Sequence, residues 1–207
     1  HPAIIGWCPF NETWGYWEDQ EKNALLSSIY KLTKRLDPTR PCIDSSGNYR
    51  VISEVYDIHD YDQDTQSFKA RWDGLSQRIR ETGGHIPADD PFFNSAPEGI
   101  RGRAPFFNQP YDDQPIFVSE YGGIRWPDGS LEGWGYGNAP TTPEEFFARY
   151  RGLTEAMLQN KDICGFCYTQ LYDVEQEVNG LYTYGRKEKY DIQIIREINQ
   201  KKAAIED

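Results

Sequence analysis

Short apolar runs that end in polar residues alternate with amphipathic segments along this 207-residue chain, and this alternation restricts the fold more than any other feature. The apolar runs have the length of buried strands and begin near Ile4, Cys42, Val55, Pro115 and Asp162. Apolar residues at helical spacing predict helices over about 18–35, 65–81, 142–159 and 190–204. Strands that alternate with helices imply right-handed βαβ units and a parallel sheet.

Polar residues stand at nearly every predicted strand end, and the chain contains two long loops, 82–114 and 125–141. Polar strand ends fit the carboxyl-terminal face of a (β/α)8 barrel, but five strands do not close one, and about 250 residues are typical of it. We therefore predict an α/β fold that is a partial (β/α)8 TIM barrel, comprising roughly strands four to eight with their helices. A doubly wound nucleotide-binding fold is disfavoured because neither G-x-x-x-x-G-K nor G-x-G-x-x-G occurs.

The charge of the chain limits its partners. The formal net charge is −11 with no basic run, which argues against nucleic acid and against anionic membranes as partners. No apolar stretch approaches the roughly 20 residues that span a bilayer. Aromatic residues make up 14% of the chain, which suits either sugar-binding faces or a core rich in rings.

All four cysteines lie in or near strand-like segments, and we expect each to be a small buried hydrophobic residue. They are Cys8, Cys42, Cys164 and Cys167. The last two are three residues apart on one predicted strand, so their side chains face opposite sides of it. That arrangement suits neither a shared metal nor a disulfide.

Two of the predicted strands end in a glutamate. Glu12 follows Asn11 after the first apolar run, and Glu120 follows Ser119 after the fourth. Two carboxylates at a barrel mouth are the usual equipment for glycoside hydrolysis, because one protonates the leaving oxygen while the other attacks or stabilises the anomeric carbon. Their environments must differ so that one stays protonated and the other ionised. A strand-end glutamate held only by backbone donors or an arginine is the structural alternative for Glu120.

Three segments strongly resemble glycoside hydrolase family 2, the family of β-galactosidases, β-glucuronidases and β-mannosidases. They are GWCPFNETWG at 6–15, SEYGG at 119–123 and GFCYTQLYDVEQEVNGL at 165–181. The resemblance covers almost the whole chain and is least secure over 82–114. It implies that residues 1–207 form the C-terminal part of a (β/α)8 glycosidase catalytic domain, with the other half-barrel and β-sandwich domains upstream.

The same resemblance implies roles for individual residues. Glu12 would be the general acid/base and Glu120 the nucleophile, while Asn11 would hydrogen-bond the sugar 2-hydroxyl. Tyr61 is the candidate for a tyrosine that the family places near the nucleophile. Tyr168 is the candidate for the aromatic side chain that the last barrel strand contributes to the sugar platform, although this strand end has no tryptophan.

Other polar and aromatic residues near the strand ends have two interpretations each. His59 either lines the substrate pocket with Asp60 or is hydrogen-bonded to its neighbours. Trp126, with Trp134 and Tyr136, either contacts sugar or packs its own loop. The Asp57-x-His59-Asp60 pattern also resembles a metal cluster, but no cysteine or second histidine stands nearby, so we predict no metal ligands. Glu175 and Glu177 we interpret as structural.

These observations predict a retaining glycoside hydrolase, β-galactosidase-like, that cleaves β-linked glycosides by double displacement. The substrate-binding candidates are Asn11, His59, Tyr61, Trp126 and Tyr168. The expected partner is a carbohydrate substrate, and no cofactor is expected, although some relatives place a divalent ion beside the acid. Exposed barrel edges predict self-association and little activity of the chain alone. The alternative is a non-catalytic carbohydrate-binding module that keeps the aromatic residues.

Overall fold

The computed structural model describes residues 1–13, 20–47, 50–86, 109–126 and 133–207. In this part of the chain, strands and α-helices alternate in an α/β architecture with parallel sheets. The strands are β1 (Phe10–Asn11), β2 (Ser45–Ser46), β3 (Tyr56–Asp60), β4 (Ile116–Gly122) and β5 (Ile163–Thr169). The helices are α1 (Gln20–Leu36), α2 (Thr65–Trp72), α3 (Leu75–Glu81), α4 (Pro143–Leu158) and α5 (Ile192–Asn199), and a 3-10 turn follows at Ala204–Glu206.

Each of the five strands overlaps or directly follows one of the five predicted apolar runs, and the strands form two sheets. One is a parallel pair of β1 and β2, and the other has the order β3-β4-β5. No closed sheet forms among the residues that the structure describes. The structure therefore shows the predicted α/β class, and the partial barrel stays a prediction.

β1 is short because a proline interrupts its pairing with the next strand. A parallel bridge between Trp7 and Cys42 has the same register as the pairing of Phe10 with Ser45. Pro9 stands between the two and has no N–H to donate to the ladder. The sheet hydrogen bonding is consequently split into a bridge and a two-residue strand.

The predicted helix over 65–81 is two helices, because the chain turns at Asp73 and Gly74. Gly74 has a φ of 69°, in the left-handed region that favours glycine. Asp64 caps α2 by accepting a hydrogen bond from the Ser67 N–H at 2.8 Å. An Asp-Gly pair is a recognised turn signal, so this break could be read from the sequence.

The described chain divides into two compact units. The first comprises 1–59 and 74–119, and the second comprises 60–73 and 120–207. In the first unit the guanidinium of Arg50 lies 3.8 Å from the centroid of the Tyr56 ring, and the Tyr111 ring meets Tyr56 edge-on at 5.0 Å. Buried aliphatic side chains complete this core, among them Leu26, Ile58, Leu75, Ile79, Ile116 and Val118.

The core of the second unit is dominated by aromatic rings. α4 packs against α2 and α5, and its Phe146 stacks on Tyr190 with 3.9 Å between centroids. Tyr150, Ile124 and Ile198 are buried in the same cluster. Aromatic pairs of this kind add to the free energy of burial because their offset and edge contacts are favourable.

The prediction that all four cysteines are buried is wrong for three of them. Cys42 is buried, whereas Cys8, Cys164 and Cys167 are exposed, and all four are free thiols. β5 is the last strand of its sheet in the described part of the chain, so a further strand does not cover its outer side. None of the helices within the described ranges has the length and hydrophobicity needed to cross a membrane.

Candidate functional site

Glu12 lies directly after β1 in an unusual backbone conformation. Its φ is 46°, a left-handed value that costs a residue other than glycine about 1–3 kcal/mol. Hydrogen bonds to β2 hold the segment in place: the Glu12 N–H donates to Ser46 O at 2.7 Å, and the Thr13 N–H donates to Ser45 Oγ at 3.3 Å. The Glu12 side chain is 40% exposed, and Asn11 beside it is also exposed.

His59 contacts the carboxylate of Glu12. Its Nδ1 lies 3.1 Å from Glu12 Oε1, and its Nε2 lies 2.7 Å from Ser46 Oγ. The imidazole is buried on β3, with 4% of the side chain exposed. Both ring nitrogens therefore have protein partners, and a contact between His59 and substrate stays a prediction.

The hydrogen bonds continue from Ser46 to a buried carboxylate. Ser46 Oγ donates to Ser119 Oγ at 3.1 Å, and Ser119 Oγ donates to Asp57 Oδ2 at 2.9 Å. The Gly47 N–H donates to the same Asp57 oxygen at 2.9 Å. We call the series Asp57, Ser119, Ser46, His59 and Glu12 the serine chain. Sequence reasoning missed its two serines, and the only signal for them was their place at strand ends.

A second buried carboxylate, that of Asp44, stands directly before β2. Asp44 accepts hydrogen bonds from the backbone N–H groups of Ser45, Val51 and Ile52 at 2.7–3.0 Å. Burial raises the pKa of this carboxyl above its ordinary value, although the three donors oppose the shift. Asp44 thus ties the backbone of β2 to that of Val51 and Ile52.

In the second unit, Glu120 accepts a hydrogen bond from Tyr61. The Tyr61 hydroxyl donates to Glu120 Oε2 and lies 3.3 Å from Thr169 Oγ1. Burial, followed by the charge of Glu120, raises the pKa of Tyr61 far above its ordinary value. The phenol therefore remains a proton donor to the carboxylate at any physiological pH.

The rings beside Glu120 pack directly on the backbone of two glycines. Tyr61 stacks on Tyr136 with 3.5 Å between centroids and 5° between planes. Gly123 has a φ of 57°, and a Cβ there would lie 2.4 Å from Tyr136 Cδ2. A Cβ at Gly122, whose φ is 79°, would lie 2.4 Å from Tyr168 Cε2. The Gly-Gly pair that follows Glu120-Tyr121 is thus required by close packing.

Two of the predicted sugar-binding aromatics lie in packing positions. The Tyr168 hydroxyl donates to Asn179 O and accepts from the Ile124 N–H, both at 3.2 Å, and burial raises its pKa. Trp126 packs against Phe146 and Tyr190, at 6.4 and 5.8 Å between ring centroids. Contact of Tyr168 or Trp126 with sugar stays a prediction.

The remaining candidates have structural partners. Asp60 is buried, accepts from Trp72 Nε1 at 2.9 Å and pairs with Arg71. Glu177 accepts from Asn179 Nδ2 at 3.0 Å within its own loop, as expected for a structural residue. Trp134 is half-exposed and meets Tyr136 edge-on at 5.9 Å. Trp14 and Gly15 of the first motif, together with 87–108 and 127–132, lie outside the described residues.

No protein-family model matches this chain, and no curated protein matches it either. Its fold is similar to that of solved glycosidases. A GH2 β-galacturonidase from Eisenbergiella tayi, bound to galacturonate, aligns with a TM-score of 0.58 and 17% identity, over 97% of this chain and 34% of that one. A Bifidobacterium dentium β-glucuronidase complexed with coumarin-3-O-glucuronide aligns with a TM-score of 0.55 and 15% identity, over 97% and 31% of the two chains.

An exo-β-agarase has a similar fold too, with a TM-score of 0.55 and 10% identity over 86% of this chain and 22% of that one. The chain spans about a third or less of the length of these three proteins. At such identities the similarity shows a shared fold alone. The described residues therefore have a fold similar to that of part of each of these glycosidases, and one of the three is a GH2 enzyme.

Proposed function

We propose that this chain is part of the catalytic domain of a retaining glycoside hydrolase that cleaves β-linked glycosides. One observation carries the proposal: each glutamate at a strand end has a side-chain partner at its carboxylate. Tyr61 donates to Glu120, and His59 contacts Glu12. The partners are a phenol and an imidazole, which are groups that can orient a reacting carboxylate.

Glu120 is the proposed nucleophile. A hydrogen bond to the charged form of a carboxylate favours that form, so the Tyr61 hydroxyl keeps Glu120 ionised and oriented. One Glu120 oxygen forms a bond to the anomeric carbon while the bond from that carbon to the leaving oxygen breaks. The electron pair of the broken bond stays with the leaving oxygen, which must then gain a proton.

Glu12 is the proposed source of that proton. In the second step it takes a proton from water as the water oxygen bonds to the anomeric carbon and releases Glu120. Retention of configuration requires the two carboxyl groups to lie about 5–5.5 Å apart, whereas about 6.5–9.5 Å would fit inversion. Asn11, next to Glu12, is the proposed partner of the sugar 2-hydroxyl.

The fold supports the same proposal at a coarser level. Strands β1 to β5 would be strands four to eight of a (β/α)8 barrel, whose carboxyl-terminal face carries the site. The similar solved structures are glycosidases, and two of them act on or bind uronic acid compounds, while the sequence resemblance points to β-galactosidases among other members. The sugar is therefore best identified by testing β-galactosides and β-uronides side by side.

Trapping the covalent intermediate tests the proposal. We would assay a panel of aryl β-glycosides with this chain and with any longer protein that contains it. The matching 2-fluoro sugar would then be added, and the labelled peptide located by mass spectrometry. A label on Glu120 supports the proposal, and a label on another residue contradicts the assignment of the nucleophile.

Glu120→Gln and Glu12→Gln provide the matched variants for this experiment, since each removes one carboxylate with little change in shape. Both should abolish turnover of unactivated substrates and preserve sugar binding. Sugar binding that both variants leave unchanged, with no turnover by the unmodified protein, would favour the alternative of a carbohydrate-binding module.

A further inference from the structure

We propose that Ser46 and Ser119 fix the proton of His59 on Nε2, so that His59 acts as a positioning residue for Glu12. The kinetic part of this proposal rests on the proposed role of Glu12 as acid/base. The part that concerns the histidine tautomer rests only on the hydrogen bonds of the serine chain.

The direction of the hydrogen bonds is set from the Asp57 end. An ionised carboxylate can only accept, and the guanidinium of Arg50 lies 3.8 Å from Asp57 Oδ1. Ser119 must therefore donate its single hydroxyl proton to Asp57 Oδ2 at 2.9 Å. The Ser119 oxygen is left to accept, and Ser46 donates to it at 3.1 Å.

This direction decides the role of the imidazole. When Ser46 donates to Ser119 its single proton is used, so across the 2.7 Å contact with His59 Nε2 its oxygen accepts. Nε2 must then carry a proton. Because 4% of the His59 side chain is exposed, bulk water does not compete effectively for this bond.

A proton on Nε2 determines what Nδ1 presents to Glu12. In the neutral ring with Nε2 protonated, Nδ1 is an acceptor. Glu12 Oε1 lies 3.1 Å away, and an ionised carboxylate facing a bare nitrogen would place two acceptors together. The contact is favourable when the Glu12–His59 pair holds one shared proton. The serine chain thus favours the protonation state that a general acid needs.

The Glu12–His59 pair gives up one proton in the first step of the proposed reaction and regains one in the second. The proton given up passes to the leaving oxygen as the glycosidic C–O bond breaks and Glu120 bonds to the anomeric carbon. In the second step, water returns a proton to the pair while its oxygen replaces Glu120 at that carbon. His59 needs no contact with the substrate in either step, which is why we describe it as a positioning residue.

Nitrogen-15 NMR of the imidazole rings tests the tautomer directly. The chain has three histidines, His1, His59 and His85, and a His59→Gln variant would identify the signals of His59. Coupling from the carbon-bound ring protons distinguishes the protonated nitrogen from the bare one. We expect His59 of the unmodified chain to be protonated on Nε2, and a neutral ring protonated on Nδ1 alone would overturn the proposal.

A serine substitution tests the cause of the tautomer. In Ser119→Ala the acceptor for Ser46 is gone, so Ser46 can donate to Nε2 and the Nδ1-protonated ring should increase. Ser53→Ala is the matched control, because Ser53 is a buried serine of the same unit that bonds to Val55 and lies outside the serine chain. A Ser119→Ala spectrum identical to that of the unmodified chain would overturn the role of the serines. Ser46→Ala, which removes the acceptor of Nε2, provides a second variant should Ser119→Ala not fold.

Kinetics separate a positioning role from a purely structural one. Ser119→Ala should lower kcat/KM about 10-fold for a phenyl glycoside, whose leaving oxygen needs a proton, but less than about 2-fold for a 2,4-dinitrophenyl glycoside. Equal losses for both substrates would overturn the effect on acid catalysis. The expected NMR result without any turnover would support the serine chain while rejecting the proposed function.

Discussion

At the scale of single residues, Tyr61 offers the sharpest prediction. Tyr61→Phe removes the hydroxyl that donates to Glu120 and preserves the ring that stacks on Tyr136. If Glu120 is the nucleophile, kcat/KM should fall about 100-fold, the scale seen when one donor to a reacting oxygen is lost. Steady-state kinetics with an aryl glycoside would measure the loss.

Tyr184→Phe is the control for this change, because Tyr184 is an exposed tyrosine of the same unit. It should leave kcat/KM unchanged. A loss below about 3-fold for Tyr61→Phe, with an unaltered melting temperature, would mean that the hydrogen bond to Glu120 has no catalytic use.

The residue scale also shows where sequence reasoning succeeds and where it stops. Glu12 and Glu120 could be singled out because each stands one residue after an apolar run, and Tyr61 because its motif resembles that of a known family. Ser46 and Ser119 could not, since they are 73 residues apart and their contact exists only in the folded chain. Trp126 and Tyr168 were singled out from the sequence as sugar-binding residues, but both lie in packing positions. An aromatic side chain near a strand end can belong to a site or to a core, and the sequence does not distinguish the two.

At the scale of elements, local backbone chemistry explains the largest departures from the expected pattern. Pro9 limits β1 to two residues, and Gly74 divides one predicted helix into α2 and α3. Both signals are visible in the sequence. By contrast, the grouping of five strands into a pair and a triplet depends on tertiary contacts that apolar periodicity does not report.

The end of β4 carries the prediction that belongs to this scale. Gly123→Ala places a Cβ on a left-handed backbone and within 2.4 Å of the Tyr136 ring, so it should disturb the stack of Tyr136 on Tyr61. We expect it to reduce the free energy of unfolding by more than the roughly 1 kcal/mol of backbone strain alone, and to lower activity as well. Urea denaturation and steady-state kinetics would measure the two effects.

Gly83→Ala is matched to that variant in backbone conformation. Gly83 has a φ of 75°, and a Cβ there would meet nothing within 4 Å. The difference between the two variants therefore isolates the contact with Tyr136 from the strain of the left-handed backbone. Equal losses of stability with full activity in both would show that the stacked rings tolerate displacement.

At the scale of the whole molecule, buried tyrosines predict sensitivity to alkali. Burial raises the pKa above the ordinary 10.0 for a set of tyrosines made up of Tyr56, Tyr61, Tyr121, Tyr150, Tyr168 and Tyr190. The folded chain keeps these protons where the unfolded chain loses them. The contribution is complete below pH 10 and is lost above it, at up to about 1.4 kcal/mol per pH unit for each tyrosine.

Urea unfolding between pH 8 and pH 12 would measure this loss of stability, and absorbance at 295 nm would report tyrosinate formation. The free energy of unfolding should fall steeply above pH 10, with the buried tyrosines ionising only as the chain unfolds. Full ionisation near pH 10 in a chain that is still folded would contradict the burial of these rings.

The first unit also exposes apolar side chains that predict self-association. Ile5 is 76% exposed and Leu36 is 79% exposed, and Leu25 and Leu32 on α1 are each 49% exposed. Apolar surface of this kind marks interaction sites or aggregation, and β1 and β2 add strand edges that can pair with another chain. We expect the chain to form concentration-dependent oligomers in sedimentation velocity.

Charge placed on this apolar surface should separate the oligomers. Leu32→Lys with Leu36→Lys puts two cations on the exposed apolar side of α1, because side chains four apart share one face of a helix. Gln66→Lys with Ala70→Lys is the control, since it adds the same charges at the same spacing to exposed positions of a different helix, α2. Only the leucine variant should shift the distribution to monomer. Equal dissociation by both pairs would show that the association does not depend on apolar contact at α1.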